Sequence, residues 1–197
     1  MPRKNLIRSN QLPYHVTARS HNKVQFELPT HEMWEVVKES FKEAYFIHPV
    51  ELISFVLMSN HYHMILITPE ANIDLFLYEF NKRIALKIQR RTGSINQIFG
   101  GRYKWCLIET QNYFMNCYRY VYQNPVRAGL SKRCESYPYS TLSLASRNQN
   151  FVIPLHDEYG LKDNHGLQWL NQIIGEEEKK ILKKGLFRSV FTEPSLY

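Results

Sequence analysis

Hydrophobic and polar positions switch between two periods along the first two thirds of the chain. Leu12–Ala18 is a short β-type run bounded by polar segments. A period of two puts His15 and Thr17 on one face and Tyr14 and Val16 on the other. From Thr30 the period lengthens, and Met33, Trp34, Val37, Phe41, Ala44 and Tyr45 recur at helical spacing. Thr30 is a candidate cap, Glu32 and Glu35 suit the positive end of the helix, and Pro49 predicts a stop by His48. Val50–Met58 and His61–Thr68 are apolar runs around Ser59-Asn60, a two-residue turn candidate. Both runs are apolar at nearly every position, so both faces of this hairpin are expected to be covered. Asn72 or Asp74 opens a second helix with Leu75, Phe76, Phe80, Ile84 and Ile88 inward, ended by Thr92-Gly-Ser. Gly100-Gly101 bends the chain into a strand that runs to Glu109. Asn112 is expected to cap a helix from Tyr113 to Gln123, which Pro125 stops.

The order β-α-β-β-α-β-α predicts an α+β fold, a ferredoxin-like (RRM-like) antiparallel sheet with helices on its faces. After Ser140 the composition changes. Thr141–Asn150 is polar and expected to be flexible. Leu167–Ile174 and Glu176–Lys184 read as two short helices joined at Gly175. The expected division is a core domain over 1–140 and a helical C-terminal extension over 141–197.

Composition narrows the function. The chain has 197 residues, and no run approaches the ~18–20 continuous apolar residues of a membrane span, so no membrane partner is expected. The N-terminus is basic but lacks the apolar core of a signal peptide. Three cysteines without CxxC spacing read as reduced thiols of a cytoplasmic protein. The net charge of +7 is uneven: residues 1–134 carry 18 Lys/Arg against 10 Asp/Glu. Between Phe80 and Ile108 there is no carboxylate, but there are Lys82, Arg83, Lys87, Arg90, Arg91, Arg102 and Lys104. Residues 110–134 also lack carboxylates. A field of one sign attracts polyanions, and nucleic acid is the usual one. Arg83, Lys87, Arg90, Arg102 and Lys104 are the expected phosphate contacts, and Arg19 is placed at the rim of a site. Tyr103 and Trp105 suit either base stacking or a strand core.

Two stretches carry chemistry. His61 and His63 alternate with Tyr62 on a strand, so both imidazoles point to one face. They are either half of a metal site or a structural pair. In the later helix Tyr120 and Asn124 are four apart and share a face. The amide oxygen can complete a metal site and the phenol can act as a nucleophile. Tyr113, Cys117, Tyr120 and Asn124 equally fit a core stripe with polar ends. His15 by itself reads as a core histidine.

Met58-Ser-Asn-His-Tyr-His-Met-Ile-Leu66 resembles the HUH signature (His, hydrophobic, His) of the single-tyrosine HUH transposases. Tyr120-Val-Tyr-Gln-Asn-Pro-Val-Arg-Ala-Gly-Leu130 resembles that family's tyrosine helix. Tyr14–Arg19, Phe99–Tyr103 and Tyr137–Leu142 are similar to further family segments in the same order, so the likeness covers residues 10–142. Asn124 and the longer tail resemble the REP-associated tyrosine transposase branch. The resemblance implies a metal-dependent DNA transposase. Mg²⁺ or Mn²⁺ is held by His61, His63 and Asn124. Tyr120 attacks single-stranded or hairpin-associated DNA, and a covalent 5′-phosphotyrosine link forms and is rejoined. It implies a monomer, or a homodimer that exchanges the tyrosine helix. Tyr62 replaces the usual small aliphatic of the motif and is expected to point away from the metal. Tyr118 and Tyr122 are each about 200° around the helix from Tyr120 and are expected to face elsewhere. The competing readings are a nucleic-acid-binding module that does not cut and a relaxase- or replication-initiator-type nickase. A hydrolytic metalloenzyme ranks below both, because no carboxylate near the histidines is placed as a base.

Overall fold

The computed structural model describes residues 5–156, 164–172, 175 and 180. Its one sheet has the order β2-β3-β1-β4, built from β1 (Tyr14–Arg19), β2 (Glu51–Leu57), β3 (His61–Ile67) and β4 (Lys104–Leu107). Every neighbouring pair is antiparallel. Helix α1 (Thr30–Ile47) links β1 to β2, and α2 (Ile73–Thr92) links β3 to β4. Helix α3 (Gln111–Arg127) follows β4. The element order predicts this α+β, ferredoxin-like layout, and the structure has it.

Alternation along the strands sorts the side chains into two cores. Tyr14, Val16, Ala18, Tyr62, Met64 and Leu66 pack with α1 and α2, where the Phe41 and Phe80 rings lie 4.3 Å apart. The opposite face supplies Ile53, Val56, Ile65 and Cys106 to a second core against α3. A register shift between Leu52 and Ser54 keeps Phe55 and Leu57 in the first core. Both faces of the hairpin are therefore covered, as its unbroken apolar runs require. Trp105 and Tyr103 belong to the first core, and Trp105 meets Tyr14 edge to face. Those two rings are core, not stacking platforms. The three cysteines are buried free thiols. Among the described residues, no helix is long and apolar enough to cross a membrane.

Two expectations are corrected here. Thr141–Asn150 is not a loose tail. β2 is an edge strand, whose outward N–H and C=O groups need partners. The chain beyond Tyr137 supplies them: Leu57 N donates to the Tyr139 carbonyl, Phe55 N to Thr141 Oγ1, and His156 N to the Leu52 carbonyl. Ser140 caps α4 (Thr141–Ser146) by accepting from Ser143 N, and Phe151 and Ile153 enter the first core. The second correction concerns α3. Thr110, not Asn112, caps it by accepting from Tyr113 N, and the helix runs through Pro125 to Arg127. Proline removes the N–H that the Val121 carbonyl would otherwise accept. Asn124 Nδ2 donates to that carbonyl at 3.3 Å and to the Tyr120 carbonyl at 2.8 Å, so the ladder is patched from the side.

The first of the two tail helices is present as α5 (Asn164–Asn171), and Glu176–Lys184 lies outside the described residues apart from Lys180. Leu170 is fully buried against the α3 core. Gln123 Nε2 donates to the Leu170 and Gln172 carbonyls, and Arg119 Nη2 also donates to Gln172 at 2.6 Å. A cation and an amide thus satisfy the carbonyls that a helix end leaves unpaired.

Candidate functional site

The β1–β3 register places Thr17 opposite His63 and Arg19 opposite His61. The odd-numbered side chains of these two strands face α3, so His15, Thr17, His61 and His63 share one surface. The His61 and His63 rings lie 5.0 Å apart, and His15 stacks on His63 at 5.2 Å. Helix α3 sets Tyr120 edge-on over this group, with its ring 5.6 Å from His63 and 6.2 Å from His15. Arg127, two turns further along, stands over the Tyr120 ring at 5.2 Å. Tyr122 points away and bonds Thr141 Oγ1 at 2.9 Å. Tyr118 is fully buried in the α3 core. Tyr62 points to the opposite face of the sheet, where it donates to Asn81 Oδ1 at 2.8 Å.

The three histidines, Thr17, Tyr120 and Arg127 line a pocket of about 620 Å³ that also takes in Asn124. Five cations line it, Arg19, Lys23, Arg102, Lys104 and Arg127, and among the described residues no Asp or Glu does. The segment around Gly100 folds over the end of β1, with Gly100 N donating to the Arg19 carbonyl at 2.9 Å. A Cβ at Gly100 would stand 3.0 Å from the Ser20 carbonyl oxygen, so a side chain there would push this segment off the end of β1 by a few tenths of an ångström. Arg127 Nη1 is buried with no hydrogen-bond partner.

Burial and neighbouring cations decide the protonation states. Burial pushes His15 down to about 3, and burial followed by Arg19 pushes His61 down to about 4. His63 lies well below its ordinary value, through burial first and then His15, His61, Arg19 and Arg127. All three rings are neutral at pH 7, the state in which imidazole binds metal. Burial raises the Tyr120 phenol, while Arg127 and Arg19 pull it back.

The donor set fits a hard divalent cation. Two neutral imidazoles face the pocket, and the nitrogen of Asn124 is spent on helix carbonyls, which leaves its oxygen as the end available to a ligand. Among the described residues, no three His, Cys, Asp or Glu side chains are arranged to hold one metal ion. Two imidazoles and an amide oxygen leave coordination positions open for other oxygens.

The chain matches the family described as "Transposase IS200 like" over residues 8–125. It belongs to that family. The matched span starts before β1 and ends at Pro125, so it contains His61, His63, Tyr120 and Asn124 of this transposase. A solved structure of a REP-associated tyrosine transposase bound to a REP hairpin shares its fold. The TM-score is 0.65 at 19% identity, over 80% of this chain and 93% of that one. A transposase candidate from Deinococcus radiodurans R1 superposes with a TM-score of 0.42 at 15% identity, over 61% of this chain and 94% of that one. A search of curated proteins finds no match.

The structure of the transposase brings together His61, His63, Tyr120, Asn124, Arg19, Arg102 and Lys104. It does not bring Arg83, Lys87 or Arg90 to the pocket. These lie on α2, on the opposite side of the sheet. Arg83 pairs with Glu43 and Glu79, and Lys87 with Glu39 and Glu43. The α2 cations look unopposed along the sequence because, Glu79 apart, the carboxylates that pair with them come from α1. Three pocket residues escape the sequence reading. His15 was on the correct face but without a partner to betray it. Lys23 sits in a turn, with φ of 60°. Arg127 lies seven residues from Tyr120, on the same helical face, and a helix ended at Pro125 hides that relation.

Proposed function

We propose that this transposase cuts and rejoins single-stranded DNA through Tyr120, beside a divalent metal held by His61, His63 and Asn124. The observation that carries this reading is the placement of Tyr120 against His63, within one chain, in a pocket whose charged groups, among the described residues, are all cations. Mg²⁺ or Mn²⁺ bound there would polarise the phosphate oxygens and favour the phenolate.

The protein's own groups do the rest. Arg19, Arg102, Lys104 and Arg127 hold the phosphates of the strand. Arg127 and Arg19 offset the effect of burial on the Tyr120 phenol. The Tyr120 oxygen attacks phosphorus, the bond from phosphorus to the 3′-oxygen breaks, and the 3′-hydroxyl departs with a proton. A 5′-phosphotyrosine link remains. A 3′-hydroxyl that attacks this link reverses the step, and the conserved phosphoester bond removes any need for a nucleotide cofactor. Hairpin-associated DNA is the proposed substrate, supported by the likeness to a REP-associated transposase whose structure holds a REP hairpin.

The test is Tyr120→Phe on single-stranded hairpin DNA with Mn²⁺. The covalent protein–DNA adduct is expected to disappear while DNA binding persists. An adduct that survives in this variant removes Tyr120 from the role. Wild-type protein that binds hairpins but never forms an adduct points instead to a binding module.

A further inference from the structure

Each of the two candidate ligand histidines, His61 and His63, is gripped at Nδ1 by a neighbour that is not a candidate ligand. His61 Nδ1 lies 2.6 Å from Asn60 Oδ1, and His63 Nδ1 lies 3.0 Å from His15 Nε2. We infer that Asn60 and His15 are positioning residues that fix the ring tautomers of His61 and His63, so that each presents a bare Nε2 lone pair to the metal. The inference rests on the metal reading proposed above.

The chain of constraint begins outside the strand. Asn60 Nδ2 donates to the Lys23 carbonyl at 2.6 Å. A carbonyl only accepts, so the amide nitrogen must face Lys23 and the amide oxygen must face His61. An amide oxygen also only accepts, so His61 Nδ1 must carry the proton. In a neutral ring the other nitrogen, Nε2, then holds the lone pair. Turning the amide over would set oxygen against oxygen at Lys23 and lose that bond.

The Lys23 carbonyl is itself fixed. Asn22 and Lys23 adopt left-handed backbone, with φ of 52° and 60°. Ser20 N donates to the Asn60 carbonyl and Phe26 N to the Ser59 carbonyl, both at 2.9 Å, so the 20–26 segment is stitched to the β2–β3 turn. The segment that brings Lys23 to the pocket wall therefore also sets which nitrogen of His61 faces a ligand. On the neighbouring strand, His15 and His63 share one proton between facing nitrogens. Only donation from His63 Nδ1 leaves its Nε2 as a ligand, so the metal reading requires His15 to accept there. An outer-shell partner at Nδ1 orients a metal-binding imidazole and raises its basicity.

The experiment reads imidazole ¹⁵N shifts in metal-free protein and Mn²⁺ affinity by calorimetry. The variants are Asn60→Asp, Asn60→Leu and His15→Leu. Wild type is expected to carry the Nδ1–H form at His61 and His63. Asn60→Asp keeps an acceptor and should hold that form at His61, with Mn²⁺ affinity within about threefold of wild type. Asn60→Leu should move His61 toward Nε2–H and weaken Mn²⁺ about 10–100-fold, and His15→Leu should do the same through His63. A purely structural role for Asn60 would make the Asp and Leu variants alike, which would overturn the inference. So would an Nε2–H form at His61 or His63 in wild type, a measurement that needs no variant. Wild type that takes up no Mn²⁺ defeats the metal reading, while the ring tautomers still decide the positioning claim by themselves.

Discussion

The two faces of the sheet carry their cations in opposite ways. On the α1/α2 face, Arg83, Lys87 and Arg91 pair with Glu39, Glu43 and Glu79, and the helices close over a core of phenylalanines. On the α3 face, Arg19, Lys23, Arg102, Lys104 and Arg127 line a pocket that no described carboxylate enters. The first set comes mostly from one helix and looks like a patch when read along the chain. The second comes from three separate stretches, 19–23, 102–104 and 127, and becomes one cluster only when the fold collects it. A run of like charges in sequence is thus a poor guide to a charged surface. What matters is whether the element packed alongside brings the opposite sign.

That comparison can be broken at several points. The largest effect is expected in a mixing experiment. Tyr120 and His63 meet within one chain, so combining Tyr120→Phe with His63→Ala should restore no adduct, each variant being down at least about a thousandfold. Recovery of adduct in the mixture would mean that the tyrosine helix serves a partner's site. Next come the pocket cations. Arg102→Ala and Arg127→Ala should each weaken binding of single-stranded DNA. Each should also flatten the dependence of log affinity on log salt by about 0.7, the value for one lost phosphate contact on a single strand. Arg83→Gln and Lys87→Gln should leave that slope unchanged, and a flattened slope would return α2 to the DNA-binding surface.

The smallest effect separates the faces by pH. The Glu43 carboxyl is held below its usual range, first by its hydrogen bond from Lys87 and then by Arg83. A depressed carboxylate contributes stability above the unfolded value of about 4.3 and loses it as pH falls through the folded value. Glu43 is partly exposed, so the network is worth about 1 kcal/mol or less. Lys87→Gln should remove that amount at pH 7, and the variant and wild-type melting temperatures should converge toward pH 3. A gap that stays constant with pH would assign the loss to packing instead.

Much of the fold was legible because its signals are local. The change from period two to period 3.6 marks β1, α1, the β2–β3 hairpin and α2 within a few residues. The identical face of His61 and His63 follows from strand geometry alone, and Tyr120 with Asn124 follows from helical spacing. What was not legible depends on contacts across the chain. Pro125 stops a helix in isolation, but the Asn124 side chain repairs the gap and carries α3 on to Arg127. Thr141–Asn150 is polar by composition, yet the open edge of β2 recruits Thr141 and the chain beyond this stretch. His15 has no local mark at all. It becomes part of the site only through the register that sets it beside His63.

The cationic lining also matters when no strand is bound. Like charges gathered around one cavity repel one another, and among the described residues nothing acidic in the pocket wall relieves them. The empty fold therefore holds stored repulsion, which mobile ions screen over about 8–10 Å at moderate ionic strength. Added salt should raise the melting temperature of the empty protein over the same range in which it loosens the grip on DNA. A protein kept at low salt without nucleic acid is in its least stable condition, and a short polyanion should restore what the missing salt would have given. One set of charges thus links the solution behaviour of the free protein to its appetite for a strand.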